Sequence, residues 1–469
     1  MKKLNIFILF LLLLIKNRCD QDNKYLTLKF KTNIDLNQID EENFVDNTLE
    51  QNIYVEIDIG TPPQKIPMTI KTWQYPTFVF SSDAKNDINI KFNQNKSDTF
   101  QSNYYLADRT FKYDFSKSYL SNDIFKIKST SSYYQFMLAL EPSSGVKNIS
   151  GEIGLSKANE KEKMSSTNPY SVYPTNARFI EQLLHNKLID NKMFGIVYDS
   201  EYEGRLIFGK YLYQVDKNYE EKDIIISPNM DNRGIPDDNY EKWLMKFDLN
   251  CYKGNDNNNI YSESSYGFLE IEKGLIKGSN NFWNNFIKPY FERNLCKQNG
   301  TILIHYYCSK KEYFEDFPNI VFSNEGKYKF SLTKDDLFKK VGNIYIFLIV
   351  FDNLDLEEPI QYWRIGKPFF QKYALFLKEQ KDNGYEIAYS LNKYAPYNDE
   401  EDGIGTQAIV IIVLSCILVI LIAVIVIYYV YFCPKQRKKT ATELIDDDFV
   451  YEPKEEKTKN KLINEDEAN

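Results

Sequence analysis

The chain has 469 residues, a formal net charge of -8 and only two histidines. Acidic residues are spread along it, and no basic stripe appears before the C-terminal end, which argues against a nucleic-acid partner. His185 and His305 sit in unrelated segments, so no zinc site can be assembled from them, and no metal or cofactor is expected.

In chain order, Met1-Lys2-Lys3 and the apolar run "LNIFILFLLLLI" come first, too short to span a bilayer and placed like a signal peptide. The expected cleavage near Cys19 leaves residues 20–50 as an N-terminal extension. Next, "NIYVEIDIGTPPQKIPMTI" alternates at Ile53, Val55, Ile57 and Ile59, turns at "GTPPQ", and alternates again at Ile66, Met68 and Ile70. That pattern predicts a β-hairpin ending at Lys71. Short apolar or alternating runs broken by Asn, Asp, Gly and Ser continue the β-rich character, among them "GRLIFG" and "NIYIFLIVF". Helical spacing is confined to "ARFIEQLLHNKLID", where His185 is expected on the surface of an amphipathic helix, and to "NNFWNNFIKPYFERN".

Near the end, "AIVIIVLSCILVILIAVIVIYYVYF", residues 408–432, carries no charge. At about 1.5 Å per residue it more than spans a ~30 Å hydrocarbon core. Lys435, Arg437, Lys438 and Lys439 follow it, and acidic "NDEED" precedes it. The expectation is a single-pass type I membrane protein with a juxtamembrane linker at 396–407, a cytosolic tail at 433–469, and an ectodomain outside the cell or in the secretory or endolysosomal lumen.

Six cysteines are present. Cys19 is expected to leave with the signal, Cys416 lies in the apolar span, and Cys433 at its cytosolic face is a palmitoylation candidate. Cys296 and Cys308, a short loop apart in a compartment that permits disulfides, are expected to pair and leave Cys251 free. Asn95, Asn148 and Asn299 head sequons and are glycosylation candidates.

Six motifs in order give the ectodomain a family resemblance. "YVEIDIGTPPQKIPMTI" resembles the opening hairpin of pepsin-like aspartic peptidases, which leads into DTGSSNLWV. "SGEIGLS" is similar to the family's DGILGLG, and the segment from Phe179 to Tyr211 to the helix and strands ending in GxLxFGG. "EKWLMKFDL" resembles an early strand of the second lobe. "FPNIVFSNEGKYKFSLTKDDLF" resembles LPxIxFxxxGxxYxLxPxxY, with Cys296 and Cys308 matching the disulfide before it. "YWRIGKPFFQKYALFL" is similar to WxLGDxFLRxYYxVFD. The resemblance implies a mainly β, bilobal fold with a central cleft over residues 51–395, with an N-lobe at 51–211 and a C-lobe at 212–395.

In this alignment Lys71 occupies the place of the first catalytic aspartate; Thr72 is kept, and Trp73 and Gln74 replace glycine and serine. An ungapped alignment of the second loop puts Glu270 at the other aspartate, while a gapped one keeps Gly274 and puts Glu272 there. Glu270 is preferred because Phe268 and Leu269 then supply the apolar lead-in. The family's chemistry needs two carboxylates sharing one proton, and a lysine cannot share it. "YDFSKSYLSND" keeps the flap tyrosine as Tyr113 but loses the flap glycines.

These departures imply a catalytically inactive, membrane-tethered relative of the peptidases that serves in binding or adhesion, with a peptide or protein ligand in the cleft. The alternative is an active aspartic-type endopeptidase using other carboxylates. A lone buried ammonium is costly, so Lys71 is expected to form an ion pair, with Glu270 the preferred partner.

Overall fold

The predicted hairpin forms from strands Ile53–Ile59 and Gln64–Lys71, paired antiparallel with Ile57 opposite Ile66 and Val55 opposite Met68. Every apolar residue of the alternation is buried. Each such side chain contributes about 1.5–3 kcal/mol relative to exposure, which fixes which face of the hairpin turns inward. Gly60 begins the turn at φ +88°, and a Cβ there would lie 2.7 Å from Ser97 Oγ, so only glycine fits.

The computed structural model describes residues 24–32, 43–49, 53–74, 76–84, 90–108, 115–142, 149–157, 178–230, 243–253, 258–324, 327–353, 362–380 and 384–394. The segments expected to be a signal peptide, linker, membrane span and tail lie outside them, as do Tyr113 and Asn148. Among the described residues no helix is long and apolar enough to cross a membrane.

The fold is mainly β, with two sheet-rich lobes. Among the described residues, one sheet has 13 strands and carries the first half of the chain; an 11-stranded sheet carries most of the second. The last two strands, Tyr373–Glu379 and Tyr385–Leu391, return to the first sheet, lying between Ile225–Met230 and Met193–Tyr198. This return ties the lobes together at their base. Trp243 sits over the junction: its indole donates to Leu155 O at 2.7 Å, and its ring packs edge-on against Phe194 and Tyr385.

Both expected helices occur. Phe179–His185 buries Phe179, Ile180 and Leu183 and leaves His185 exposed. It stops short of Leu188 because Lys187 takes φ 58°, and Leu188 N–H then closes back onto Leu183 O at 2.9 Å. The second runs from Asn280 to Arg293, capped by the Ser279 hydroxyl, which accepts from Phe282 N–H. Its middle turn, Trp283–Ile287, is a π-turn. That widening leads into Pro289, which has no N–H for the helical ladder. A disulfide joins Cys296 to Cys308, and Cys251 is buried with a free thiol.

Candidate active-site cleft

Two strand ends are presented side by side, and their registers are related by internal symmetry. In the N-lobe, Gln64–Lys71 runs parallel to Gly151–Gly154, with Ile70 opposite Ile153 and Lys71 opposite Gly154. In the C-lobe, Asn259–Leu269 runs parallel to Trp363–Ile365, with Leu269 opposite Ile365, and Glu270 N–H donates to Ile365 O at 3.0 Å. Both partners end in an Ile-Gly pair, Ile153-Gly154 and Ile365-Gly366. Counting from those pairs, Leu269 corresponds to Ile70, Glu270 to Lys71, and Glu272 to Trp73.

The first loop is held down by its own strand: Leu155 N–H donates to Lys71 O at 2.9 Å, and Ser156 N–H to Gln74 O at 3.0 Å. Across the cleft, Thr72 makes the contacts. Its Oγ1 lies 2.8 Å from Leu269 O and 2.9 Å from Glu272 Oε2, and its N–H donates to the same Oε2 at 3.3 Å. A threonine hydroxyl has one proton to give. Both contacts are hydrogen bonds if Glu272 is protonated, with Oε2–H donating to Oγ1 and Oγ1–H donating to the Leu269 carbonyl.

The electrostatics agree with that arrangement. Burial pushes the Glu272 carboxyl up to about 7, the charge of Glu270 adds to the rise, and Lys71 opposes it. Glu270 is itself only 3% exposed. Its carboxylate pairs with Arg364 NH1 at 3.4 Å, and Arg364 lies directly opposite Phe268 on the neighbouring strand. Lys71 Nζ stands 5.8 Å from the centroid of the Trp73 ring.

The expected Lys71–Glu270 ion pair is therefore replaced by Arg364–Glu270. The physical reason is proximity: Arg364 sits on the strand hydrogen-bonded to the Glu270 loop, while Lys71 approaches from the other lobe. Reasoning from the sequence passed over Arg364, although it lies inside "YWRIGKPFF" beside the second loop. The same stretch hides Lys367, which stands where the resemblance has the aspartate of LGD. A third residue passed over is Lys157, 4% exposed and, among the described residues, with no hydrogen-bond partner for its amine, which lies 4.9 Å from the Tyr385 ring centroid and 5.9 Å from that of Trp243. Burial lowers this amine to about 7.

The flap strands Gln101–Asp108 and Phe115–Ile127 pair antiparallel, with Asp108 opposite Lys117, and they bracket the segment that holds Tyr113. Asp123, the last residue of "YDFSKSYLSND", is buried and accepts from Thr99 Oγ1 at 2.6 Å and from Ile124 N–H at 2.7 Å, which makes it a pin for the base of the strand. Asn95 and Asn299 are exposed. Among the described residues, no group of three His, Cys, Asp or Glu is placed to hold a metal.

At the two symmetry-related strand ends, then, the cleft floor offers an ammonium and a carboxylate already engaged by a guanidinium. A proton shared between facing carboxylates has no counterpart at that pair of positions. A search of the curated proteins finds no match. The family model for eukaryotic aspartyl proteases matches residues 52–386, which spans the hairpin, both cleft loops and the first of the returning strands, and the chain belongs to that family.

Proposed function

We propose that this family member has lost catalysis and uses its cleft for binding or adhesion, holding a peptide or protein ligand. The observation that carries this reading is the symmetry of Lys71 and Glu270 about the Ile-Gly pairs. In the peptidases the matching positions hold aspartates, one acting as base on water and the other as acid. Here Glu270 is paired with Arg364, and a lysine stands at the other position, so the two facing carboxyls that share a proton are missing.

The alternative of a working endopeptidase would rest on Glu270 and Glu272, whose charges do interact. Against it, both come from one loop, and Glu272 is 1% exposed and occupied with Thr72. The proposal also takes the uncharged run 408–432 as a membrane anchor, with the cleft outside the cell or in the secretory or endolysosomal lumen.

The test is incubation of the purified chain with a peptide library at acid and neutral pH, with and without pepstatin. No cleavage above background is expected, together with retention of a subset of peptides. Pepstatin-sensitive turnover would reverse the assignment.

A further inference from the structure

Away from the facing loops, a small recess of about 30 Å³ opens between the helix Phe44–Leu49, the N-lobe turn at Glu201 and the helix Lys367–Lys372. Its polar lining is Thr48, Glu201, Lys339, Lys367 and Gln371. Lys339 has a counter-charge, since Glu201 forms an ion pair with it. Thr48 spends its hydroxyl proton on Phe44 O at 2.6 Å.

Lys367 is different. It is 7% exposed, and among the described residues its amine has neither a hydrogen bond nor an ion pair. Its nearest compensation is the face of the Tyr202 ring, 5.3 Å away. Burial, reinforced by the charge of Lys339, brings its amine down to about 7. Two lysines therefore line one recess with one carboxylate between them. The backbone around Lys367 is fixed: its N–H donates to Lys273 O at 2.7 Å, and a Cβ on Gly366 would lie 2.1 Å from Leu275 O. The amine cannot leave the recess by a local shift of the chain.

We propose that this recess is an oxyanion-binding site, in which a carboxylate or phosphate group seats between Lys367 and Lys339 and supplies the counter-charge that Lys367 lacks. It stands whether or not the cleft cleaves peptides. Binding is linked to protonation: an anion favours the ammonium form of Lys367, so affinity rises as pH falls through about 7. The charged and titratable groups facing that amine are Lys339, Glu201 and Tyr202. Burial also lowers the Lys339 amine, to about 8, so as pH falls protons are taken up first at Lys339 and then at Lys367.

The full-length chain is titrated with inorganic phosphate and, separately, with acetate, each against chloride at matched ionic strength. Thermal midpoint and cyanate labelling of Lys367, mapped by mass, are followed together. Cyanate carbamoylates only the neutral amine, and at pH 6 each unit that the anion adds to the pKa cuts that fraction about tenfold. A saturable rise in midpoint with slowed labelling at Lys367, both absent in Lys367→Met, is expected. Response to phosphate alone identifies a phosphate-type ligand, and response to acetate identifies a carboxylate such as an acidic side chain. If neither anion exceeds chloride in the wild-type chain, or if Lys367→Met responds equally, the proposal fails.

Discussion

Thr72 and Glu272, from opposite lobes and 200 residues apart in the chain, share a hydrogen bond 2.9 Å long at the centre of the cleft floor. The same hydroxyl reaches Leu269 O, so one short polar side chain joins the two loops that the family uses for chemistry. In this chain the contact ties the two lobes across the cleft floor.

Stability should respond to pH through Glu272. Its folded carboxyl titrates near 7, above the 4.5 of the free side chain. Between those values the folded state holds a proton that the unfolded chain has released. The contribution is therefore complete below about pH 4.5 and lost as pH rises toward 7, by about 3 kcal/mol. Urea denaturation of wild type and Glu272→Gln at pH 4.5 and 7.5 isolates this term. The glutamine variant should be flatter across the interval and relatively more stable at the higher pH.

Thr72→Val keeps the shape of the side chain and removes its hydroxyl. Leu269 O and Glu272 Oε2 are then left buried without that partner, which should cost about 2 kcal/mol, while Thr72→Ser should cost less than half as much. Denaturant midpoints at a pH near 5, where Glu272 is protonated, give the comparison. A loss in Thr72→Ser with none in Thr72→Val would show that packing of the methyl, not the hydrogen bonds, holds the loops together.

Lys157 offers the opposite sign. Its folded amine titrates near 7 against 10.5 in the free side chain, so the full penalty applies below pH 7 and fades as pH rises toward 10.5. Cation–π contact with Tyr385 and Trp243 offsets about 1–2 kcal/mol of it. Lys157→Met, close in length and apolar, should stabilise the chain at pH 6 by an amount on the order of 3 kcal/mol and by much less at pH 10. Thermal or urea unfolding at the two pH values measures the difference. A destabilised variant at pH 6 would mean that the amine is held by something stronger than two aromatic faces.

The hairpin Ile53–Ile59 with Gln64–Lys71 was legible because period-2 alternation writes burial directly into the sequence. The two helices were legible for the same reason at their own period, although the end of the first was not, since Lys187 carries no residue-type signal for a positive φ. Arg364, Lys157 and Lys367 escaped because a buried charge has no local pattern; its environment is assembled from strands far apart in the chain. The second loop shows the limit most clearly. Two alignments of Glu270 and Glu272 were open from sequence, and the equivalence of Glu270 with Lys71 comes only from parallel pairing with Ile365. The partner of Glu270 is not legible either, because Arg364 becomes its neighbour only through the parallel pairing of two strands far apart in the chain.

Restoring the aspartate is the sharpest trial of the cleft. In Lys71→Asp the cation that opposes Glu272's rise is gone, so its carboxyl should move further up, and the new aspartate stands at the place equivalent to Glu270. A working dyad needs one proton shared between the two facing carboxyls, held by a pair of like charges at short range. Arg364, 3.4 Å from Glu270, works against that by engaging this carboxylate from the neighbouring strand of its own lobe. Glutamate also projects one methylene further than aspartate, which shifts the oxygens from the family's geometry. Lys71→Asp should therefore bind peptide with altered charge preference and show no pepstatin-sensitive cleavage between pH 3 and 7, measured with a quenched fluorogenic peptide pool. Cleavage by this single variant would show that the C-lobe loop is still competent and that Lys71 alone silences it.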